Sequence, residues 1–233
     1  MKTSTKGREI HALAEKARES GKYLDALEHT DKATIAYQKD GDLFGLAEIQ
    51  ASRQSTFKHL YRSTSDPMFL ILEKHAAEAA VEIAEKSGIP EAVAIPYHNL
   101  GKYYVAVEDW EKAAKYFEMA VENLQKYPEN SHSRASVIAD IEGHQFAAEY
   151  KDGDKSALER ALKALEDLKE ADEKDSYVRN VWISGAHLRI ADMVREDDPE
   201  LSKKHLAEAE KIIESDERLV LRKEQLEKLK SEL

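Results

Sequence analysis

Nine histidines, two Asp-Gly-Asp segments and one Glu-x-x-His pair are the residues of this chain whose types and spacing could do chemistry. Asp40-Gly41-Asp42 with Gly45 has the outline of a calcium loop, in which alternating oxygen ligands surround the ion. Phe44 stands at a ligand position and Ala51 at the place of the closing glutamate, so the segment reads as a turn. Asp152-Gly153-Asp154 reads the same way. Glu129-x-x-His132 has the spacing of half a di-metal centre in a helical bundle. It lies beside Pro128 in an expected loop, and no second copy exists in the sequence. His11, His29, His59, His75, His98, His132, His144, His187 and His205 are scattered, and none stands in an arrangement suited to activating a serine or cysteine nucleophile. There is no H-E-x-x-H, no phosphate-binding Gly-rich loop and no G-x-S-x-G. With no cysteine, disulfides and thiolate metal sites are excluded. The expectation is therefore a non-enzyme, with no catalytic residue, no metal site and no cofactor.

The elements that would hold these side chains are helical throughout. Apolar residues recur at three- and four-residue spacing, and Gly (9) and Pro (5) are scarce. Charged residues reach 35% beside 42% hydrophobic ones, which suits thin two-layer helical arrays with much surface per residue. Short breaks divide the periodic segments at Ser20-Gly21, Asp40-Gly41-Asp42, Ser65-Asp66-Pro67, Ser87-Gly88, Pro128 to Ser131, Asp152-Gly153-Asp154, Asp172 to Ser176 and Asp197-Asp198-Pro199. Asp66 can cap free N–H groups while Pro67 takes the first helical position. Short connections favour antiparallel neighbours packed in chain order. No low-complexity linker interrupts them, so one domain over residues 1–233 is expected. The net charge of −11 repels phosphate backbones, no apolar run reaches membrane-spanning length, and the opening residues lack a signal-peptide core. A soluble cytoplasmic protein, bound to neither nucleic acid nor membrane, follows as an expectation.

The sequence also repeats itself. Tyr97, Leu100, Gly101 and Tyr104, then Trp110, Ala113, Phe117 and Ala120, then Pro128, resemble the tetratricopeptide (TPR) pattern W-x2-L-G-x2-Y followed by A-x3-F and P. A weaker copy runs through Ile10, Leu13, Ala14 and Ala17 to Gly21-x-Tyr23-x2-Ala26 and Ala33. Gly41 and Gly88 open two further segments 47 residues apart, against about 34 for a standard repeat, so the second hairpin is expected to be extended. Gly143, Phe146, Ala157, Ala161 and Ala164 echo a fourth unit; Trp182, Gly185, Leu188 and Ala209 echo a fifth. The resemblance implies an all-α, right-handed α-α superhelix, a TPR-like solenoid. It would have about five hairpins, at 7–39, 42–87, 90–127, 131–171 and 175–214, plus a capping helix at 216–232. Leu219, Leu226, Leu229 and Leu233 form the inward stripe of that last helix; a dimerising coiled coil is its rival reading, and a monomer is favoured because the segment is short.

In TPR stacks the first helix of each hairpin lines a groove that takes an extended or helical peptide. Carried over by position, the resemblance places Arg8, His11 and Arg18 from the first unit, Lys58 and His59 from the second, and His98, Asn99 and Lys102 from the third on that face. Cations gathered there in an acidic chain would attract carboxylates. The lysine–asparagine clamp by which one TPR subclass holds acidic chaperone tails is not matched, because His11 and Glu15 stand at its first positions. The implied function is an adaptor holding a peptide or helix of another protein, with acidic character favoured. The alternative is a regulatory sensor that changes shape on binding a short signalling peptide. Within the second unit, Gln50 and Arg53 interrupt an apolar stripe; because a buried polar group is costly alone, either this face borders the groove or, as favoured here, Arg53 meets an acidic neighbour such as Glu73 or Glu78.

Overall fold

Ser4 starts the first helix for a local reason: its hydroxyl accepts the Gly7 N–H at 2.9 Å, covering a donor that the first helical turn leaves unpaired. Asp42, Asp66, Asp109, Asp175 and Asp198 do the same for later helices, and Pro67 and Pro199 follow two of them in the first turn. Gly41, at φ 70°, closes the second helix in the left-handed conformation that favours glycine. The computed structural model describes residues 3–130 and 132–232, and among these it contains eleven α-helices and no strand. They are α1 (Thr5–Glu19), α2 (Tyr23–Asp40), α3 (Leu43–Thr64), α4 (Pro67–Lys86), α5 (Ala94–Ala106), α6 (Trp110–Lys126), α7 (Ala135–Lys151), α8 (Ala157–Glu170), α9 (Ser176–Val194), α10 (Pro199–Glu214) and α11 (Val220–Ser231). A 3-10 turn, Pro90–Val93, precedes α5.

The helices cluster into two compact units, residues 1–108 and 109–233. In the first, α1 packs on α2 and α3, α2 on α3, and α3 and α4 on each other and on α5. In the second, α7 packs on α6, α8 and α9, and α9 on α8, α10 and α11. Each unit thus sets alternate helices side by side: α1, α3, α5 in one and α7, α9, α11 in the other. Alanine makes the approach close. Ala14, Ala26, Ala33, Ala77 and Ala80 are wholly buried in the first unit, as are Ala157, Ala191 and Ala209 in the second.

One aromatic ring organises the start of the first unit. Tyr37, fully buried on α2, lies so near Gly7 and Gly45 that a Cβ at either would come within 2.5 Å and 2.3 Å of its ring. The two aspartates read as a turn behave as one: Asp42 caps α3 through Gly45 N–H at 2.8 Å. Asp42 also accepts Ser4 N–H at 2.9 Å, and Asp40 accepts the Ser4 hydroxyl at 2.6 Å. Farther along, Phe57, Leu60 and Ala76 form a core with Tyr23, Leu27 and Phe69.

The second unit is closed by α11, whose Leu226 and Leu229 join Leu219 against Leu188, Leu206 and Ile213. Leu233, expected on the same stripe, lies outside the described residues, as do Met1, Lys2 and Ser131. The helix begins at Val220, four residues later than the sequence reading. Asp216 instead accepts Arg218 Nε and Nη2, each at 2.7 Å, and main-chain N–H at 3.2 Å. Those bonds, chiefly from the Arg218 side chain, hold the carboxyl down to about 2 and fix a turn before the helix. Arg53 also departs from expectation: it pairs with Asp31 of α2, not with Glu73 or Glu78. Position 53 faces α2. Glu73 is buried beside Gln54, one residue further round α3, and Glu78 meets Lys74 and His75 on its own helix.

Candidate partner-binding face

All eight residues expected on the groove side fall in the first unit, on α1, α3 and α5. Helical spacing puts Arg8, His11, Glu15 and Arg18 along one side of α1. Arg8 forms an ion pair with Glu48 of α3 and spreads over the rings of Tyr37 and Phe44, at 5.7 and 5.6 Å from their centroids. Burial raises the Glu48 carboxyl, and Arg8 opposes that rise. At the other end of α1, Arg18 donates to Ser52 Oγ at 2.8 Å and reaches the Ser52 carbonyl at 3.4 Å. These two arginines therefore tie α1 to α3 at both ends. From α3, Gln54 Nε2 donates to the main-chain carbonyl of Asn99 on α5 at 2.9 Å.

The histidines of this face are less open than the sequence reading supposed. His11 keeps 12% of its side-chain exposure, and its Nδ1 lies 3.2 Å from the Tyr37 hydroxyl. Burial, ahead of the neighbouring charges, lowers its pKa. His59 stacks on Tyr23 of α2 with ring centroids 5.7 Å apart and planes 11° from parallel. Burial, then Arg62, Arg18 and Lys58, push its imidazole down to about 4. Both rings are neutral at pH 7 and wedge between helices. Ala51 and Ser52, which spacing would place in the groove, are buried. His98, Asn99 and Lys102 lie together on α5, half-buried.

Two contributors escaped the sequence reading. Arg62 continues the row of Ser55 and His59 by one helical step, so the same spacing could have found it. Glu73 had no such signal: it is 1% exposed, and neither carboxyl oxygen has a hydrogen-bond partner. Burial raises its pKa against the pull of Lys58, Gln54 and Arg62. Gln54 Oε1 is likewise buried without a donor. Glu129 and His132, weighed as a metal pair, lie in the connection between α6 and α7, where His132 N–H bonds Asn130.

Comparison with known proteins places this geometry. No family model matches the chain, and no curated protein matches it. Solved structures do. BtubC (BKLC) from P. vanneervenii aligns with a TM-score of 0.67 at 18% identity, over 89% of this chain and 80% of that one. The nearly identical TPR-like repeats of a Podosopora anserina protein described as a kinesin light chain align in two structures. A single-substitution form gives a TM-score of 0.62 at 14% identity, covering 94% of this chain and 99% of that one. The other gives 0.58 at 14% identity, covering 100% and 98%. The chain has a TPR-like all-α helical-repeat fold. No helix among the described residues is long and apolar enough to cross a membrane.

Proposed function

We propose that the chain is a non-catalytic scaffold that holds a peptide or helix of another protein against α1, α3 and α5 of its first unit. The TPR-like fold commonly mediates protein–protein interaction, and that is the coarse support. The observation that carries the reading is the row itself. Arg8–Glu48, Arg18–Ser52 and Gln54–Asn99 lock three helices into one surface. Lys58 and Lys102 stand on that same row. A surface fixed before binding loses little freedom when a partner docks, so a few charged contacts suffice for recognition. Acidic peptides are the favoured ligands, because most of the net negative charge belongs to residues 109–233 and the first unit is close to balanced.

A peptide array probed with the full chain tests the proposal against the double variant Arg18→Glu, Lys102→Glu. The expected result is loss of the acidic peptides that the unaltered chain retains. An identical binding pattern for both proteins would refute the assignment of this face.

A further inference from the structure

Within that face the charges are unevenly satisfied. Arg8 has Glu48 and Arg53 has Asp31. Arg18 is held by a serine hydroxyl and a carbonyl, and neither it nor Arg62 makes an ion pair with a carboxylate among the described residues. Ser52, Ser55, His59 and Arg62 follow one another at steps of three, four and three on α3, which puts them along a single stripe. Arg18 reaches that stripe from α1 through Ser52. Arg18, Lys58 and Arg62 all act electrostatically on the His59 ring. The helix dipole favours a cation in each last turn, where Arg18 and Arg62 both sit. It does not account for two helices bringing theirs to the same imidazole. The carboxyl facing Lys58 and Arg62 from α4 is Glu73, and burial raises its pKa against their pull.

We propose that Arg18, His59 and Arg62, with Lys58 beside them, form an anion subsite that takes one carboxylate or phosphate side chain of the bound peptide. The inference rests on the reading of this face as a peptide-binding surface. Arg18 is pre-positioned by Ser52, Arg62 is exposed and can swing onto the ligand, and the stacked imidazole gives the subsite a flat, half-buried floor. An anion there gains charge-assisted hydrogen bonds from two guanidinium groups that now have none to an acid.

The test follows the histidine ring resonances of the full chain by NMR during titration with two capped tripeptides, Gly-Glu-Gly and Gly-phosphoserine-Gly. Saturable movement of the His59 signals with either peptide is the expected result, and the peptide that causes it identifies the anion as carboxylate or phosphate. Arg18→Gln and Arg62→Gln should each weaken that binding roughly tenfold, while Lys32→Gln, on the outer side of α2 in a pair with Glu28, should leave it unchanged. Arg62 makes no bond between helices, so its variant reports on binding even where loss of Arg18 loosens α1. Still His59 signals, or binding by both arginine variants as strong as that of the unaltered chain, would overturn the subsite. The larger face has its own arm: array peptides lost on Lys102→Glu but retained by Arg18→Gln and Arg62→Gln would remove the subsite and keep the face.

Discussion

The two units solve the same crowding problem with different side chains. In the first, the glycines of α1 and α3 make room for the rigid Tyr37 ring. In the second, Gly143 on α7 and Gly185 on α9 lie under the guanidinium groups of Arg189 and Arg222, with added Cβ atoms meeting them at 2.7 and 2.6 Å. Arg189 then bonds Asp140 and reaches His144 Nε2, each at 2.8 Å, so His144 accepts there and carries its proton on Nδ1. Arg222 donates to the Val181 carbonyl at 3.0 Å. All the arginines of the second unit are engaged in this manner by an acid or a main-chain carbonyl, whereas in the first Arg18 is held only by the uncharged oxygens of Ser52 and Arg62 makes no ion pair among the described residues. The unit whose cations are internally satisfied is built to hold itself together. The unit that leaves two of them without an acid has charge available for a partner.

The largest effect expected is acid sensitivity at the His187–His205 pair of the second unit, beside that of His59 and His11 in the first. His187 and His205 are buried with their Nδ1 atoms 2.9 Å apart, so one donates and the other accepts, and the accepting ring must be neutral. Burial, then His205, push His187 down to about 4, and burial also lowers His205; Lys169 and Lys204 add to the lowering while Glu208 and Glu166 oppose it. A depressed histidine binds protons more readily unfolded than folded. Its contribution is therefore whole above the ordinary value of 6.5 and is lost as pH falls toward 4. The His187 shift corresponds to roughly 3 kcal/mol at the acid end. Denaturant unfolding as a function of pH should show the loss, and His187→Leu should flatten it; an equal slope in the variant would place the sensitivity elsewhere.

Next come the glycines themselves. Gly45→Ala forces its methyl against a ring that Gly7 already confines from the other side, and should cost about 1–3 kcal/mol. Gly143→Ala meets only the movable end of an arginine and gains helix propensity of about 1 kcal/mol, so it should be close to neutral. Thermal melts of the two variants compare them directly, and similar costs would erase the distinction between ring and guanidinium. The smallest effect expected is at Glu73. Its raised pKa means that its contribution is whole below the ordinary value of 4.5 and declines as pH rises through the folded-state value. Glu73→Gln keeps a neutral side chain beside Gln54 at every pH, so it should gain on the parent as pH rises through the folded-state value of Glu73. Loss of stability across that rise would show that an ionised Glu73 is part of the fold.

Much of this was legible in the amino-acid order. Helix starts at Asp42, Asp66 and Asp198, the break at Gly41 and the inward stripe of α11 follow from local rules: a free N–H needs an acceptor, a left-handed residue favours glycine, and an apolar face recurs with the helical turn. The TPR-like fold was legible from Tyr97, Leu100, Gly101 and Phe117 because their sizes suit fixed places in a stack. Tertiary packing alone decided which side chains spend their polarity on a neighbour. His11 and His59 look like open groove residues by spacing, yet Tyr37 and Tyr23, distant along the chain, close over them. Arg53 found Asp31 where Glu73 was expected, since a few tens of degrees round α3 separate the face toward α2 from the face toward α4. A helix sets which residues share a side, but only the neighbouring helices determine whether that side meets water, a ring or an opposite charge.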